Sequence, residues 1–414
     1  MEFRQYQKEI ISKGIEVMQK SCFLYLAMEV RTGKTLTSLG ICKGMGASSV
    51  LFITKKKAIS SIESDYAMLA PGYKLTTINY ESLHKVDEKL KFDTIICDEA
   101  HCMGAFARPS KRAVQVKTLL AKHRCGLILM SGTPTPESYS QMYHQVYGHH
   151  ANPFAHYKNF YKWSKDYVDV RQKKISGNMI NDYSAGIEDK ILKAMKPYMI
   201  NYTQKEAGFK TEVEEEVLYV KMEYLTYKMS NMLRRDRIIN GSEEIILADT
   251  GVKMMSKLHQ LYSGTVIFES GKAKVIDWSK ADYISKRFYD QKIAIYYKFK
   301  QELQAILDVY PKARITTDID EFNSDPKKSI ALQIVSGREG ISLRQAKHIV
   351  YYNIDFSATS YWQSRDRMTT KDRGFNKVYW VFAEDGIEDK IYKVVNGKKN
   401  YTLKHFTNDL MRLF

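Results

Sequence analysis

Short apolar runs recur through the first 130 residues, and they constrain the fold more than any other feature. Each run is four to six residues long and rich in Ile, Leu and Val, and segments with helical spacing separate the runs. Such runs are typical of strands buried on both faces of a parallel sheet. Their alternation with helices predicts βαβ units. The predicted strands are Phe23–Met28, Ser49–Thr54, Leu75–Asn79, Thr94–Cys97 and Cys125–Met130.

The same alternation returns after residue 290, with predicted strands at Ile293–Tyr297, Ile330–Val335, His348–Tyr352 and Lys377–Phe382. Between the two α/β segments, residues 139–200 are rich in aromatic side chains and lack strand-like alternation, which predicts a helical insertion. We therefore predict an α/β fold with two doubly wound parallel-sheet domains. The predicted parts are a first domain at 1–138, an insertion with a return to the first domain at 139–215, and a second domain at 216–414.

The charge balance points to a polyanionic partner. The net charge is +17, from 64 Lys and Arg against 47 Asp and Glu, which favours nucleic acid over a merely basic surface. No apolar run reaches about 18 residues, so no membrane contact is expected. The N-terminus lacks a signal-peptide pattern, and the five cysteines form no C-x-x-C pair. Together these features predict reduced thiols and a cytoplasmic location.

The segment Met28–Thr35 joins the first predicted strand to a helix through Gly33, Lys34 and Thr35. Backbone N–H groups at such a helix start attract phosphate, and a lysine there reaches the β- and γ-phosphates. The Thr35 hydroxyl is placed to hold Mg²⁺. An ordinary turn explains the tripeptide equally well when it is taken alone. The predicted ATP-binding residues of this loop are Arg31, Thr32, Gly33, Lys34 and Thr35.

Two adjacent carboxylates, Asp98 and Glu99, follow the predicted strand Thr94–Cys97. Ligands bind at this end of strands in open α/β sheets. Asp98 can hold Mg²⁺, and Glu99 can deprotonate an attacking water. An acidic loop is the simpler alternative, but its occurrence after Gly33–Thr35 favours nucleotide hydrolysis. Ser131 and Thr133 follow the next strand and suit a sensor between phosphate and polymer.

Two further motifs lie in the second α/β segment. After the predicted strand Ile330–Val335, Gly337 and Gly340 would let the backbone approach a phosphate closely. A predicted helix at Thr359–Met368 carries Gln363 and Arg367, which could reach a γ-phosphate as charge develops. Taken alone, a solvated basic helix face is the better explanation of the second motif.

In this order, the motifs resemble those of superfamily-two helicases. They are most similar to the SWI/SNF-type remodelling and translocating ATPases, in a compact bacteriophage-like form with a D-E-A-H box at Asp98–His101. The resemblance runs from about Arg4 to about Ile391. It implies two RecA-like domains that clamp ATP, with Mg²⁺, and a DNA partner. It also implies adenine recognition by Gln7 beside Arg4.

The resemblance assigns further roles by position. Lys34, Asp98, Glu99, Gln363 and Arg367 would be catalytic, and Gly340 would join the ATP-binding residues. His101, Ser131 and Thr133 would couple ATP to the polymer. The nucleic-acid contacts would be Lys55, Lys56, Tyr80, Ser336, Gly337 and Ser342. The sequence departs from the family at Arg31, where the family has glycine, and at Thr370, where it has a second arginine. Arg367 is therefore the predicted γ-phosphate arginine, and Arg365, Lys371 or Arg373 could replace it.

The predicted function is an ATP-driven motor on duplex or branched DNA, with fork unwinding or branch migration as further possibilities. For strand separation, the aromatic rings of residues 139–167 could form a wedge, although a core role suits most of them better. One alternative is an ATP-gated DNA-binding switch with little turnover. An RNA helicase is a second, less favoured alternative, because phosphate contacts alone do not distinguish the sugars.

Overall fold

The computed structural model describes residues 2–87, 89–175, 178–208, 212–241, 243–337, 343–365, 368 and 374–397 of the 414-residue chain. The chain folds into two compact units, Met1–Phe209 (unit 1) and Lys210–Phe414 (unit 2). Among the described residues, each unit contains a six-stranded parallel sheet. The predicted α/β class with two parallel-sheet domains is thus confirmed. None of the described helices combines the length and apolar character that crossing a membrane requires.

The central sheet of unit 1 has the strand order β3-β2-β4-β5-β1-β8. The strands of unit 1 are β1 (Phe23–Met28), β2 (Ser49–Thr54), β3 (Lys74–Asn79), β4 (Thr94–Cys97), β5 (Gly126–Met130), β6 (Arg171–Ile175), β7 (Asn178–Asp182) and β8 (Met199–Tyr202). The helices are α1 (Gln5–Ser21), α2 (Lys34–Gly44), α3 (Ile59–Leu69), α4 (Lys111–His123), α5 (Met142–Val146), α6 (Phe160–Tyr167) and α7 (Glu188–Met195).

The central strands of this sheet are buried on both faces, which explains why β1, β2, β4 and β5 are mostly apolar. Successive residues of a strand point to opposite faces. Accordingly, Phe23 and Tyr25 of β1 enter one hydrophobic core, whereas Leu24 and Leu26 enter the other. All four side chains are fully buried. Helices on both faces of a parallel sheet give the doubly wound arrangement.

The insertion after β5 buries most of its aromatic rings. Tyr143, Phe154, Phe160 and Trp163 are at most 2% exposed and pack in the core on one side of the sheet. The core role preferred from the sequence is therefore confirmed for these rings. The insertion also contains the antiparallel hairpin β6–β7, which the sequence did not predict because its strands are largely polar. The chain then returns to the sheet as β8, beside β1.

The central sheet of unit 2 has the order β15-β16-β14-β17-β18-β9. The strands of unit 2 are β9 (Glu212–Val220), β10 (Ile238–Asn240), β11 (Ile245–Leu247), β12 (Thr265–Ile267), β13 (Ala273–Val275), β14 (Ile293–Tyr297), β15 (Ile315–Thr316), β16 (Ser329–Gln333), β17 (His348–Tyr351) and β18 (Phe375–Ala383). The helices are α8 (Tyr224–Asp236), α9 (Gly251–Tyr262), α10 (Ser279–Arg287), α11 (Lys300–Val309), α12 (Ile319–Ser324), α13 (Ile334–Gly337), α14 (Ala358–Arg365) and α15 (Glu388–Asn396).

The edge strand β9 comes first in unit 2 but pairs with β18, which comes last among its strands. The two strands run parallel over nine residue pairs, from Glu212 with Phe375 to Val220 with Ala383. The predicted boundary between residues 215 and 216 falls inside β9. The first strand of unit 2 is therefore hydrogen-bonded to a strand in the last third of that unit.

A fully buried ion pair lies in the core of unit 2. The Lys280 ammonium of α10 donates to the Glu388 carboxylate of α15 at 2.6 Å, and both side chains are 0% exposed. Removing one partner of such a pair strands the other charge in a medium of low dielectric constant. The pair therefore links α10 to α15 and makes unit 2 sensitive to change at either residue.

We expect Lys280→Met to destabilise unit 2 by about 3–5 kcal/mol, because Glu388 would remain buried without its cation. The measurement is the urea midpoint of the unit 2 transition in the full chain. The matched control is Lys393→Met, which breaks the exposed pair with Asp389 on α15. That loss is expected to stay below about 0.5 kcal/mol. Equal midpoints for the two variants would contradict the prediction.

Candidate active site

The carboxyl ends of β4, β5 and β1 lie side by side in unit 1. Cys97 of β4 pairs with Leu129 of β5, and Met130 of β5 pairs with Leu26 of β1. The residues that follow each strand therefore meet at one edge of the sheet. These are Asp98 and Glu99 after β4, Ser131 to Thr133 after β5, and the loop from Glu29 to Gly33 after β1.

The loop after β1 has two residues with positive φ. Gly33, at φ 80°, immediately precedes α2, and a Cβ on it would lie 2.5 Å from Nε2 of Gln7. Arg31, at φ 63°, adopts the left-handed backbone conformation that favours glycine. The arginine thus takes the backbone shape expected of a glycine, so the departure from the family at this position does not prevent the tight turn.

The first helix holds this loop from the side. The Tyr6 hydroxyl donates to the Thr32 carbonyl at 3.0 Å, and Gln7 Nε2 donates to the Gly33 carbonyl at 3.5 Å. The Gln7 side chain also accepts from the Arg4 backbone N–H at 3.0 Å. Inside the loop, the buried Thr32 hydroxyl donates to the Glu29 carbonyl at 2.7 Å. The predicted residues Arg4, Gln7, Thr32 and Gly33 are therefore brought together.

The segment after β8 forms hydrogen bonds with the start of the same loop. The Gln204 backbone N–H donates to the Glu29 carboxylate at 2.7 Å, and Gln204 Nε2 donates to the Val30 carbonyl at 3.0 Å. The Tyr202 ring stacks on Tyr6, with centroids 4.9 Å apart. These supports were missed from the sequence, because residues 29 and 204 are distant in the chain and form no local motif.

Lys34 lies close to the other two strand ends. Its Nζ donates to the Glu29 carbonyl at 3.4 Å, and a Cβ on Gly132 would lie 3.4 Å from the same Nζ. Gly132 thus allows a close approach between the turn after β5 and the lysine. The ammonium also acts electrostatically on Asp98, where it favours the charged carboxylate.

Asp98 is fixed by the neighbouring strand β2. Its carboxylate accepts from the Thr54 hydroxyl at 2.9 Å. Burial and the adjacent Glu99 carboxylate raise the pKa of Asp98 to about 6, while Lys34 and the Thr54 hydrogen bond oppose this rise. Thr54 ends β2, which pairs with β4, so strand register alone could have identified this contact.

Tyr80 supports the same carboxylate loop from inside the protein. Its hydroxyl donates to the Asp98 carbonyl at 2.7 Å, and its side chain is 1% exposed. The predicted nucleic-acid contact through Tyr80 is therefore wrong, because a buried ring is not available to a polymer. Of the other predicted contacts in unit 1, Lys55 is half-buried and Lys56 is exposed.

A hydrogen-bond chain connects the carboxylate loop to the turn after β5. His101 Nδ1 lies 3.3 Å from the Glu99 carboxylate and 2.9 Å from the Ser131 hydroxyl. The Ser131 hydroxyl also accepts from the Thr133 backbone N–H at 3.1 Å. Glu99 itself has φ 49°, a left-handed conformation that is uncommon outside glycine. His101 and Thr133, both predicted to couple ATP to the polymer, are therefore joined through the hydroxyl of Ser131, the third residue of that prediction.

The oxygen atoms at this edge suit a hard cation bound together with phosphate. The Thr35 hydroxyl and the Asp98 carboxylate are the donor types that Mg²⁺ prefers, and this ion commonly takes its remaining ligands from water and phosphate. Thr133 Oγ1 is buried and has no hydrogen-bond partner among the described residues. Within the same part of the chain, no His, Cys, Asp or Glu side chains cluster in a group of three that could hold a metal. The residues fit a metal that arrives with its nucleotide.

The predicted site residues of unit 2 lie mostly outside the described part of the chain. Gly340, Ser342, Arg367, Thr370, Lys371 and Arg373 lie outside the described residues, and for Ser336, Gly337 and Gln363 only the backbone is described. Arg365 is described, and it forms an ion pair with Glu215 of β9 at 2.9 Å. This contact occupies the guanidinium that was considered a substitute for Arg367.

Comparison with known protein families identifies the family of this chain. Residues 50–264, just over half of the chain, match the SNF2-related domain. The chain belongs to the SNF2-related domain family. The matched residues include the candidate site from Asp98 to Thr133. They do not include the loop between β1 and α2, which precedes residue 50. Membership confirms the prediction of a helicase-like, DNA-dependent ATPase of superfamily two.

Two solved structures of a SWI2/SNF2 ATPase core are similar to this chain. One is the Sulfolobus solfataricus SWI2/SNF2 ATPase core in complex with dsDNA, with 14% identity, 96% of this chain and 91% of that chain covered, and a TM-score of 0.44. The other is the Sulfolobus solfataricus SWI2/SNF2 ATPase core domain, with 16% identity, 96% and 89% covered, and a TM-score of 0.43. No curated protein matches the chain.

Proposed function

We propose that this protein is an ATP-driven motor that moves along duplex DNA. The observation that carries the proposal is the convergence of Lys34, Asp98 and Glu99 at one sheet edge, connected through His101 to Ser131. A site that only binds and hydrolyses ATP would need Lys34, Asp98 and Glu99 but not the contact between His101 and Ser131. The link onward to the turn after β5 offers a route by which the state of the nucleotide affects another part of unit 1.

Each residue of the edge has a distinct role in this proposal. The backbone N–H groups at the start of α2 and the Lys34 ammonium bind the phosphates. Thr35 and Asp98 would hold Mg²⁺, which would supply positive charge to offset that of the phosphates. Glu99 orients the attacking water and accepts its proton. Gln7 hydrogen-bonds the Gly33 carbonyl, and in this proposal it recognises adenine, the role that the resemblance to the family implies.

The positive charge of the chain supports DNA as the track. A motor that grips phosphates releases counterions, so its affinity for DNA falls steeply with salt. Buried rings in the insertion favour translocation over strand separation, because Tyr143, Phe154 and Trp163 cannot act as a wedge from inside a core. Branched DNA stays a candidate substrate. The more specific assignment, to a compact bacteriophage-like form with a D-E-A-H box, is also part of the proposal.

ATP turnover should be measured on single-stranded, duplex, forked and four-way DNA and on RNA at one salt concentration. We expect duplex-containing DNA to stimulate turnover most, and binding to weaken steeply between 50 and 200 mM salt, by roughly 10³-fold if about six phosphates are contacted. A labelled fork reports strand separation. Turnover that no nucleic acid stimulates would contradict the motor. Tight ATP-dependent binding with little turnover would instead favour the switch alternative, which the departures at Arg31 and Thr370 motivate.

We expect Ser131→Ala to reduce DNA stimulation of ATP turnover by about tenfold and to leave basal turnover within about twofold. The change removes the hydroxyl that joins His101 to the Thr133 N–H, while the phosphate loop keeps its own contacts. The loss of one such contact is worth about 1–3 kcal/mol. The measurement is basal and DNA-stimulated turnover. The matched control is Ser164→Ala. It removes a buried hydroxyl of the insertion that donates a hydrogen bond to the Tyr161 carbonyl. Equal stimulation in the two variants would contradict the role of Ser131 in coupling.

A further inference from the structure

One stretch of unit 1 carries positive charge and no negative charge. Acidic residues number 47 in the 414-residue chain, yet none occurs between Glu99 and Glu137. The same interval contains six Lys and Arg residues, and all of them lie in helix α4 or in the loops on either side of it. They are Arg108, Lys111, Arg112, Lys117, Lys122 and Arg124. The positive charge of unit 1 is therefore concentrated at this helix.

Helix α4 has one face in the core and the opposite face in solvent. Ala113, Val116 and Leu120 are buried in the hydrophobic core. Lys111 and Lys122 are exposed. Their separation in the sequence is about three helical turns, so they lie on one line along the helix, about 16 Å apart. These two lysines define the basic face of α4.

Further exposed cations flank the basic face. Arg108 precedes α4 and Arg124 follows it, and both side chains are exposed. Neither arginine forms an ion pair with the residues that the structure describes. Lys117 lies to one side, where its ammonium is 4.2 Å from the centroid of the Tyr147 ring. The surface around α4 is thus positive from one end of the helix to the other.

The helix dipole accounts for Lys122 but not for Lys111. A cation is favourable in the last turn of a helix and unfavourable in the first turn. Lys111 and Arg112 open α4, and its first turn contains no acidic residue. Arg112 is compensated by the Glu81 carboxylate at 2.6 Å, whereas within the described part of the chain Lys111 has no such partner. Local structure therefore does not explain the lysine at position 111, and a bound anion would.

The start of α4 is hydrogen-bonded to the loop that carries the catalytic carboxylates. The Ser110 hydroxyl caps the helix by accepting from the Ala113 N–H at 3.1 Å, and it donates to the Met103 carbonyl at 2.9 Å. Met103 ends the short helical turn Ala100–Met103, which follows Glu99 directly. A force on the first turn of α4 can therefore reach the carboxylate loop through one side chain.

Arg112 provides a second link to the same loop. Its guanidinium lies 5.7 Å from the centroid of the Tyr80 ring, and the Tyr80 hydroxyl donates to the Asp98 carbonyl. Burial raises the pKa of Cys102 to about 11, and the charges of Arg112 and Lys55 both oppose this rise. Both cations therefore lie within electrostatic range of one thiol. The start of α4 is thus close to Lys55, which is a predicted nucleic-acid contact.

We propose that the basic face of α4 is a second DNA-binding surface of unit 1, which binds the phosphate backbone of the duplex independently of its base sequence. The inference rests on the proposed function and deepens it, because this surface lies outside the motifs that the family resemblance assigns. Lysine ammonium groups bind phosphates as point charges, which gives affinity without base recognition. Duplex DNA carries about one negative charge per 1.7 Å, so a surface without carboxylates suits it.

The first experiment measures the affinity of the full chain for a short fluorescent duplex at several salt concentrations. ATP turnover with and without DNA and thermal unfolding are measured on the same proteins. The test variant is Lys111→Gln/Lys122→Gln. The matched control is Lys13→Gln/Lys20→Gln, which removes two exposed lysines from α1, a helix whose lysines are interspersed with glutamates.

We expect the test variant to lower the slope of log affinity against log salt by about two, because each phosphate contact contributes about 0.9. Its affinity for the duplex near 100 mM salt should fall by at least roughly tenfold. The DNA concentration that gives half-maximal ATP turnover should rise in proportion. Turnover without DNA and the unfolding midpoint should match the wild type, and the control variant should keep the wild-type slope.

A second experiment needs no substitution, so it applies even where the test variant fails to fold. Duplex DNA should protect Lys111 and Lys122 of the wild type from acetylation by an amine-reactive reagent. Lys13 and Lys20 should react at the same rate with and without DNA. Mass spectrometry of the digested protein reports the rate at each lysine.

Four results decide between the inference and the proposed function. Wild-type affinity and salt slope in the test variant, or no protection of Lys111 and Lys122, would overturn the inference. Protection by duplex RNA but not by duplex DNA would overturn it as well. If α4 failed these tests while Lys34→Ala lost DNA-stimulated turnover, the proposed function would stand without the inference. If DNA protected the basic face but stimulated no turnover in the wild type, the surface would stand and the motor would be contradicted.

Discussion

Replacing Lys34 with alanine is expected to lower DNA-stimulated kcat by about 10²–10³-fold, the loss typical of one donor aimed at transition-state charge. The ammonium lies at the meeting point of three strand ends, beside Gly132 and within electrostatic range of Asp98. No other described cation is placed by these contacts at the same point. The measurement is steady-state phosphate release with saturating duplex DNA.

Lys43→Ala is the matched control for this change. Lys43 lies in the last turn of the same helix, α2, and is exposed. Its loss removes the same charge without affecting the phosphate loop, so turnover should stay within about twofold of the wild type. If Lys34→Ala retained wild-type turnover, the assignment of the loop to ATP would be wrong.

Glu99→Gln is expected to lower kcat by about 10²–10⁴-fold while leaving nucleotide affinity nearly unchanged. The amide cannot accept the proton of the attacking water, and general-base catalysis contributes about this much. The side chain keeps its size, so Asp98 and Lys34 should retain their contacts. The measurements are single-turnover hydrolysis and binding of a fluorescent ATP analogue.

The same variant separates the motor from the switch. A motor with Glu99→Gln should accumulate in its ATP-bound state on DNA, whereas a switch with little turnover should behave almost as the wild type does. The control is Glu81→Gln, which removes a carboxylate of unit 1 that pairs with Arg112 at 2.6 Å. Its turnover should be normal. Equal turnover by Glu99→Gln and Glu81→Gln would exclude Glu99 as the base.

Much of the framework was predictable because the central strands are buried on both faces. The predicted strands Phe23–Met28, Ser49–Thr54 and Ile293–Tyr297 coincide with β1, β2 and β14. Burial on both faces demands a continuous apolar run, and such a run is visible without knowledge of the neighbours. The ends of those strands could then be expected to meet, and in unit 1 Asp98, Ser131 and Lys34 do so.

The features that the sequence did not predict depend on contacts between distant residues, or on segments without a hydrophobic pattern. The hairpin β6–β7 was missed because its strands are largely polar in sequence and show no apolar alternation. Tyr80 was predicted to contact nucleic acid, since nothing local shows that its hydroxyl reaches the Asp98 carbonyl. The bonds from Gln204 to Glu29 and from Arg365 to Glu215 join residues 175 and 150 positions apart. Sequence spacing carries no signal at that range.

The pairing of β9 with β18 also sets an order for synthesis on the ribosome. β9 ends at Val220, but its pairing partner begins only at Phe375. At roughly 5–20 residues per second, the edge strand waits about 10–30 s for that partner to be translated. Unit 2 therefore completes its sheet late, after unit 1 has had its whole sequence available, and a pause in translation before Phe375 would prolong the exposure of β9.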